Sequence, residues 1–485
     1  MSAPLALLAA TLVVVFALAL RARRGVGMSL EQWSIGGRGF SALLVFVLIA
    51  GELYTTFTFL GASGFAYGFG GAALYIVVYT TQAFVLSYWL LPAIWRYAKT
   101  HRLLTQADLF AKQYDSPFVG LLVAAISLVA LLPYLALQLK GLGILVETSS
   151  YGVIPTGVAI WIGAAALAGF VVVSGVHGSA LTAIVKDAVV LSVCVFLGVY
   201  LPCHYYGSLT GMFHAIDAQR PDFFTLPAAG KNLTWYLSTI VVCALGMFMW
   251  PHTFSSVYTA KSDDHFRRNA AVMPLYALVM LFSMFVGFAA VLQIPGLKGP
   301  RIDLALLALS IRSFDPWFVG VIGAAGLLTA LVPASIMLVS VATLFARNIY
   351  PVSMLRPGER QLAQIAKLAA LVLTLAAVVI ALHGGQSIVA LLIMGYSLVS
   401  QVLPSLFAGL LRNNPVNKYG ASAGMIAGVA TVATLVLTNS SIATVMPSQA
   451  WAATLNPGIV AWTLNVATML VVSGLTKRRV SNALA

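Results

Sequence analysis

Lys186 and Asp187 stand side by side in an apolar stretch, residues 178 to 202, that is long enough to cross a bilayer. A charge held in hydrocarbon costs at least about 2.5 to 3.5 kcal/mol, so such residues face a protein interior and mark an ion, proton or substrate path. Burial disfavours the charged lysine while a neighbouring carboxylate favours it, a balance that suits a group exchanging a proton. A second carboxylate, Glu52, follows Gly51 in the middle of another apolar run, residues 40 to 69. Glycine weakens a helix there, and open backbone at that depth persists only where it is buried in protein or lines a cavity. A second interruption falls at Gly246-Met247-Phe248-Met249-Trp250-Pro251-His252, inside residues 235 to 260. Proline removes a backbone donor and clashes with the preceding turn, so a kink or break is expected.

Around these breaks Thr55, Thr56, Gln138, Trp250 and His252 are the candidate contacts for a small solute, and half-helix N-termini there carry a partial positive charge. Blander readings stand beside them. The threonines and Gln138 could bond neighbouring helices, Glu52 could satisfy open amides, and Lys186 could pair permanently with Asp187 or snorkel. His252 could be a satisfied core histidine. Lys140 and Glu147 read as interfacial anchors, and the Gly64 to Gly68 spacing as close packing. The chain holds no HExxH, GxSxG or comparable constellation, and Cys194, Cys203 and Cys243 lack CxxC spacing. Neither enzyme chemistry, a certain metal site nor a cofactor is expected.

The elements that must position these residues are membrane helices. Hydrophobic residues make up 60% of 485 and charged residues 8%, which excludes an ordinary soluble domain. Thirteen apolar segments recur, so the expected fold is all-α and polytopic. Of 27 Lys and Arg, twenty fall in alternate loops and the C-terminal tail, five in the others, and Lys140 and Lys186 within segments. By the positive-inside rule this puts the N-terminus outside and the C-terminus inside. The first segment lacks a preceding Lys or Arg and is followed by Arg21, Arg23 and Arg24, the wrong polarity for a cleaved signal. The net charge of +14 belongs to these dispersed loops, so no nucleic-acid partner is expected.

The interrupted segments, the second and the seventh, lie five apart, as they would in two repeats of opposite topology with a site at the midplane. The expected organisation is a first helix and basic loop (1–30), a first repeat (31–205), an outer loop (206–234), a second repeat (235–411) and two C-terminal helices with a short inner tail (412–485).

These residues also carry a resemblance. Ile35-Gly36-Gly37-Arg38, Gly51 to Gly71, Pro133-Tyr134 with Gln138, Gly175 to Asp187, Pro251-His252 and Thr343 to Tyr350 resemble the sodium/solute symporter family over about residues 33 to 415. The resemblance implies a five-plus-five inverted repeat of the LeuT type. Leu135 to Leu139, Val185-Lys186-Asp187, Pro251-His252-Thr253, Ala330 to Ala334 and the acid at position 52 look most like the bacterial monocarboxylate permease branch. Sodium-coupled members carry adjacent hydroxyl residues on the ninth segment, where this chain has Val332 and Pro333. Thr329, Ser335 and the carbonyls of Gly51 and Tyr54 could partly substitute. Lys186 could instead occupy the space and charge of the ion.

The expectation is therefore a secondary symporter of the inner membrane, in contact with lipid and a small solute, with no protein partner implied. It imports a monocarboxylate such as lactate or pyruvate on a proton gradient, with Na+ as the rival coupling ion. A sodium symporter for another small solute is the alternative. A channel would need a repeated filter or pore-lining ring, and one asymmetric pair of broken segments is not that. A membrane-embedded enzyme would need a reactive cluster.

Overall fold

The computed structural model describes residues 3–27, 29–352, 358–438, 440–441 and 450–482. The described residues form helices throughout, with one isolated β-bridge between Phe40 and Ala260. In chain order these are α1 (Ala3–Arg23), α2 (Leu30–Ile35), α3 (Ala42–Gly51), α4 (Ala62–Phe69), α5 (Tyr75–Thr100), α6 (Gln106–Gln113) and α7 (Pro117–Ser149). Then come α8 (Thr156–Tyr206), α9 (Leu209–Gln219), α10 (Leu233–Gly246), α11 (Pro251–Tyr258), α12 (Asp264–Leu278), α13 (Met280–Gln293) and α14 (Ala305–Ser313). The remainder are α15 (Pro316–Leu344), α16 (Glu359–His383), α17 (Ile388–Val399), α18 (Leu403–Leu410), α19 (Lys418–Leu437) and α20 (Pro457–Asn482).

Each of the thirteen expected segments has a counterpart, although length and apolarity alone delimit ten spans, or eleven with the bent α10–α11 pair. The difference lies in corners too tight to end a helix by hydrogen bonding. At 51 residues α8 would run about 77 Å if straight, over twice a bilayer core. It turns at Gly175, whose φ of 54° and ψ of −145° are outside helical space. A Cβ there would lie 2.4 Å from the carbonyl oxygen of Trp33, so only glycine lets α2 and α8 close on each other. A second corner, at Gly70 (φ 54°), separates α4 from α5. There the loop residues Phe223 and Phe224 come so near that a Cβ on Gly70 or Gly71 would overlap their carbonyl oxygens.

The centre of the bundle is α15, whose most apolar eighteen-residue window is wholly buried. Around it pack α1, α7, α8 and α16, while α11 touches its lower half. Gly64 and Gly68 do serve close packing, since a Cβ at Gly64 would lie 2.6 Å from the Ile302 carbonyl oxygen. At the C-terminus α19 and α20 form a hairpin. Gly420, Gly424 and Gly428 recur every fourth residue, and Gly420 and Gly424 sit directly on Ser473, Asn465 and Met469, the small-residue approach expected between membrane helices.

Lys140, expected as an interfacial anchor, finds its partners within the protein instead. Lys140 donates to the Gln386 carbonyl and lies 4.0 Å from Asp303, because the buried Asp303 carboxylate supplies a counter-charge that lipid does not. Asp303 also accepts the Ile388 N–H at 3.0 Å. Glu147 accepts from the Thr156 hydroxyl, closing the turn between α7 and α8. At the end of the bundle that carries Arg38 and Arg347, one carboxylate joins several elements. There Asp108 accepts from Arg347 at 2.7 Å, from Asn348 at 2.8 Å and from the Leu104 N–H at 3.0 Å.

Candidate functional site

The first break begins where α3 stops at Gly51 and the ladder is interrupted over Glu52 to Thr55 before Thr56 and a π-turn, Phe57–Gly61, lead into α4. Local side chains take over part of the lost ladder. Thr58 Oγ1 donates to the Leu53 and Thr55 carbonyls and accepts the Thr55 N–H, and Thr55 Oγ1 accepts the Phe57 N–H. Thr55 thereby accepts an open amide two residues on and keeps its hydroxyl proton to donate.

The carbonyls freed at Gly51 and Tyr54 converge on one cation. Lys186 Nζ, reaching across from α8, donates to Gly51 at 2.8 Å and to Tyr54 at 3.1 Å and pairs with Asp187 at 2.9 Å. The lysine is fully buried, so it is neither exposed nor snorkelling. A Cβ at Gly51 would lie 3.4 Å from Nζ, a contact tight enough to explain glycine there. Tyr276 of α12 stands by the pair, its ring 5.1 Å from that of Tyr54 and its carbonyl accepting the Tyr54 hydroxyl at 2.9 Å.

The α15 side of this cation is apolar. Val332 packs against Val47 of α3 and Ala183 of α8, one turn from Lys186. Thr329 and Ser335 are buried but face other tasks. Thr329 donates to Gly326 at 2.6 Å, and Ser335 bonds Val332 and Ser179, each at 2.6 Å. Each hydroxyl gives its proton to a helix carbonyl or shares one with Ser179 and keeps oxygen lone pairs, and no hydrogen bond among the described residues joins either to the carbonyls of Gly51 and Tyr54. Sodium asks for several oxygen ligands, and the donor set here is two carbonyls already bonded to an ammonium. A small cation fits poorly while that ammonium remains.

The second break follows α10, where a short 3-10 turn, Met247–Met249, ends at the extended residue Trp250 and α11 starts on Pro251 with a 47° bend. Gln106 of α6 holds the open backbone by donating to the Met249 carbonyl at 2.7 Å, and is itself held by Ser127 of α7 at 2.8 Å. Glu52 joins the breaks. Its carboxylate accepts from Thr253 at 2.9 Å and Ser256 at 2.6 Å, and His252 Nε2 lies 3.9 Å away.

Trp250 and His252 share a ring cluster with Tyr134 of α7, at centroid distances of 5.0 Å and 5.8 Å, and Trp250 meets Tyr396 of α17 at 5.3 Å. One turn along α7 from Tyr134, Gln138 accepts the Thr56 N–H at 3.2 Å. The Thr56 hydroxyl, the Gln138 amide nitrogen, the Trp250 indole nitrogen and His252 Nδ1 are all buried without a hydrogen-bond partner among the described residues. An unmet buried polar group costs about 1 to 3 kcal/mol, so four on contiguous side chains point to a polar ligand that completes them.

The structure thus brings Gly51, Glu52, Tyr54, Lys186 and Asp187 into one cluster and Thr56, Gln138, Trp250 and His252 into a second, with Glu52 touching both. Thr55 lies between them, in the break and beside Tyr134, while Thr329 and Ser335 are hydrogen-bonded to neither. Sequence reasoning missed Tyr134, Thr253, Ser256, Tyr276 and Tyr396 as site residues. The run Thr253, Ser255, Ser256, Thr259 just after Pro251 was a legible signal of a polar face, whereas nothing in the sequence marks Tyr276 or Tyr396.

Comparisons with known proteins agree with this architecture. A profile of the sodium:solute symporter family matches residues 33–428. An uncharacterized symporter, YhjB, of Bacillus subtilis is 52% identical over 100% of this chain and 99% of its own length. A monocarboxylate transport permease protein of Rhizobium johnstonii is 28% identical over 79% of this chain and 78% of its own. Among solved structures, a Na+-coupled sialic acid symporter in a substrate-bound outward-open state superposes with a TM-score of 0.76 at 14% identity, covering 98% of both chains.

Proposed function

This chain belongs to the sodium:solute symporter family and is a multi-pass, cation-coupled solute symporter, and we propose that its solute is a small monocarboxylate and its coupling ion the proton. The observation that carries the coupling is the buried Lys186 ammonium on the Gly51 and Tyr54 carbonyls, beside Val332 where a hydroxyl ligand would be needed. In this reading Lys186 fills the place of a bound cation. Release of its proton frees two carbonyls at the break and loosens α3 from α8, which couples protonation to movement of the broken helix.

The substrate reading rests on the four unpaired polar atoms, which can donate to a carboxylate, and on the aromatic faces of Trp250, Tyr134 and Tyr396, which suit a short alkyl group. It is supported by the likeness to the Rhizobium permease. A carboxylate ligand near Glu52 would be repelled by its charge, so a proton on Glu52 favours binding. The reading includes import across the inner membrane, with the N-terminus outside, and alternating movement of repeats 31–205 and 235–411 about the breaks.

A sodium reading is favoured by the family itself and by the Na+-coupled structural neighbour. Uptake into proteoliposomes decides. Under the proton reading, lactate, pyruvate or propionate accumulates on an imposed pH gradient without sodium and the three compete. Accumulation that requires sodium at equal pH on both sides overturns proton coupling, and uptake of only sugars or cationic amino acids overturns the monocarboxylate reading.

A further inference from the structure

The loop that enters α10 carries a lysine to which neither cluster gives a task. Lys231 Nζ lies 4.2 Å from the ring centroid of Trp235 and 5.9 Å from that of Phe69. All 13 Asp and Glu residues belong to the described part of the chain, and none of the six ion pairs recorded among described residues includes Lys231. It borders a cleft of about 310 Å³ that is also lined by Trp235, Ser440, Thr454 and Pro457. An ammonium on an aromatic face, with no carboxylate to neutralise it, presents a positive potential to whatever enters that cleft.

Trp235 also opens a series of rings that runs inward. It packs on Phe65 at 5.9 Å and on Tyr75 at 5.3 Å, Tyr75 on Tyr79 at 5.8 Å, Tyr79 on Tyr396 at 5.7 Å, and Tyr396 on Trp250. The rings form an unbroken series of contacts from Trp235 to the second break.

We propose that Lys231 is a specificity-determining residue, forming with Trp235 a recruiting site that takes the carboxylate of an incoming monocarboxylate before it reaches the two breaks. This rests on the monocarboxylate reading. An anion over Lys231 displaces the ammonium from the Trp235 face, and the ring series links that displacement to Trp250. The site selects against cations at the entrance, before any contact with Thr56 or Gln138.

Burial brings the Lys231 ammonium down to about 8. The groups against it, Phe69 from α4, Trp235 from α10, and Ser440, Thr454 and Pro457 from the C-terminal hairpin, do not titrate. Residues 442–449 contain no titratable side chain either. The positive charge is thus complete near pH 6.5 and lost as pH rises through about 8.

The test is counterflow of labelled propionate in proteoliposomes with equal pH on both sides, so that no gradient drives the exchange. Lys231→Met is expected to raise the external KM about fivefold at pH 7 with an unchanged maximal rate, as loss of one attracting charge does. In the wild type the KM rises by at least a similar factor between pH 7 and 9.5, whereas Lys231→Arg, charged throughout, shows a smaller rise that leaves only the part due to Glu52. If Lys231→Met does not reach the membrane, the two remaining pH profiles carry the comparison. An anion carried with the same KM by Lys231→Met, or parallel pH profiles in wild type and Lys231→Arg, overturns the recruiting site alone. A wild type that carries no anion overturns both readings.

Discussion

A lysine with no solvent exposure and one carboxylate beside it makes Lys186 and Asp187 energetically interdependent. Removing one partner of a buried pair leaves the other uncompensated and typically costs about 3 to 5 kcal/mol, while replacing both by neutral groups costs far less. Asp187→Asn is accordingly expected to lower the melting temperature of the purified protein more than the double change Lys186→Met with Asp187→Asn. Additive losses would show that the two do not act as a pair. For transport, Lys186→Met should reduce gradient-driven accumulation at least about tenfold while solute exchange without a gradient persists, because a neutral side chain leaves the proton without a carrier. Full accumulation by that variant would remove Lys186 from coupling. Glu52→Gln should weaken the acceptor for Thr253 and Ser256 and flatten the pH dependence of exchange, whereas a role limited to holding α11 would leave that dependence intact.

The same breaks and corners govern the elements. α8 runs as one chain of helix through a residue that no L side chain adopts comfortably, and Trp33 closes over it. Strained backbone of this kind costs about 1 to 3 kcal/mol, and the overlap with the Trp33 carbonyl adds to it. Gly175→Ala should therefore lower thermal stability clearly. Gly385→Ala, where a Cβ meets nothing within 4 Å, should leave it unchanged. Equal melting temperatures for the two variants would mean that α2 and α8 separate without cost. Because α3 also packs on α8, the corner helps to set where Lys186 meets the first break.

At the scale of the whole molecule, Asp108 collects Arg347, Asn348 and two backbone amides and so fastens the start of α6 to the turn that follows α15 at the basic end. Charge-assisted hydrogen bonds contribute about 1.5 to 3 kcal/mol, comparable to the free-energy gaps between transport conformations. Asp108→Asn is expected to shift the population toward a state open at that end. With the exposed Cys203 replaced by serine, a cysteine at Ser340 should then react faster with an impermeant thiol reagent supplied from the basic side. An unchanged labelling rate would show that the latch does not hold the molecule closed.

Much of this protein follows from local rules that a sequence displays. Apolar length demands membrane helices, Gly51 and Pro251 sit where helices stop, and a lysine next to an aspartate in hydrocarbon needs a protein interior, each requirement arising within a few residues along the chain. The thirteen segments and both breaks were legible for that reason. What faces what was not. Gly51 and Lys186 are 135 positions apart, as Glu52 and Ser256 are 204 apart, and no periodicity encodes such a meeting. Thr55, Thr329 and Ser335 carry suitable oxygens, and which carbonyl, amide or serine each one bonds is set by the fold. Lys140 has the stem of an anchor but found Asp303. Tertiary packing decided these outcomes, because a buried polar group takes whichever partner the fold brings within 3 Å, and desolvation leaves it little freedom to choose another.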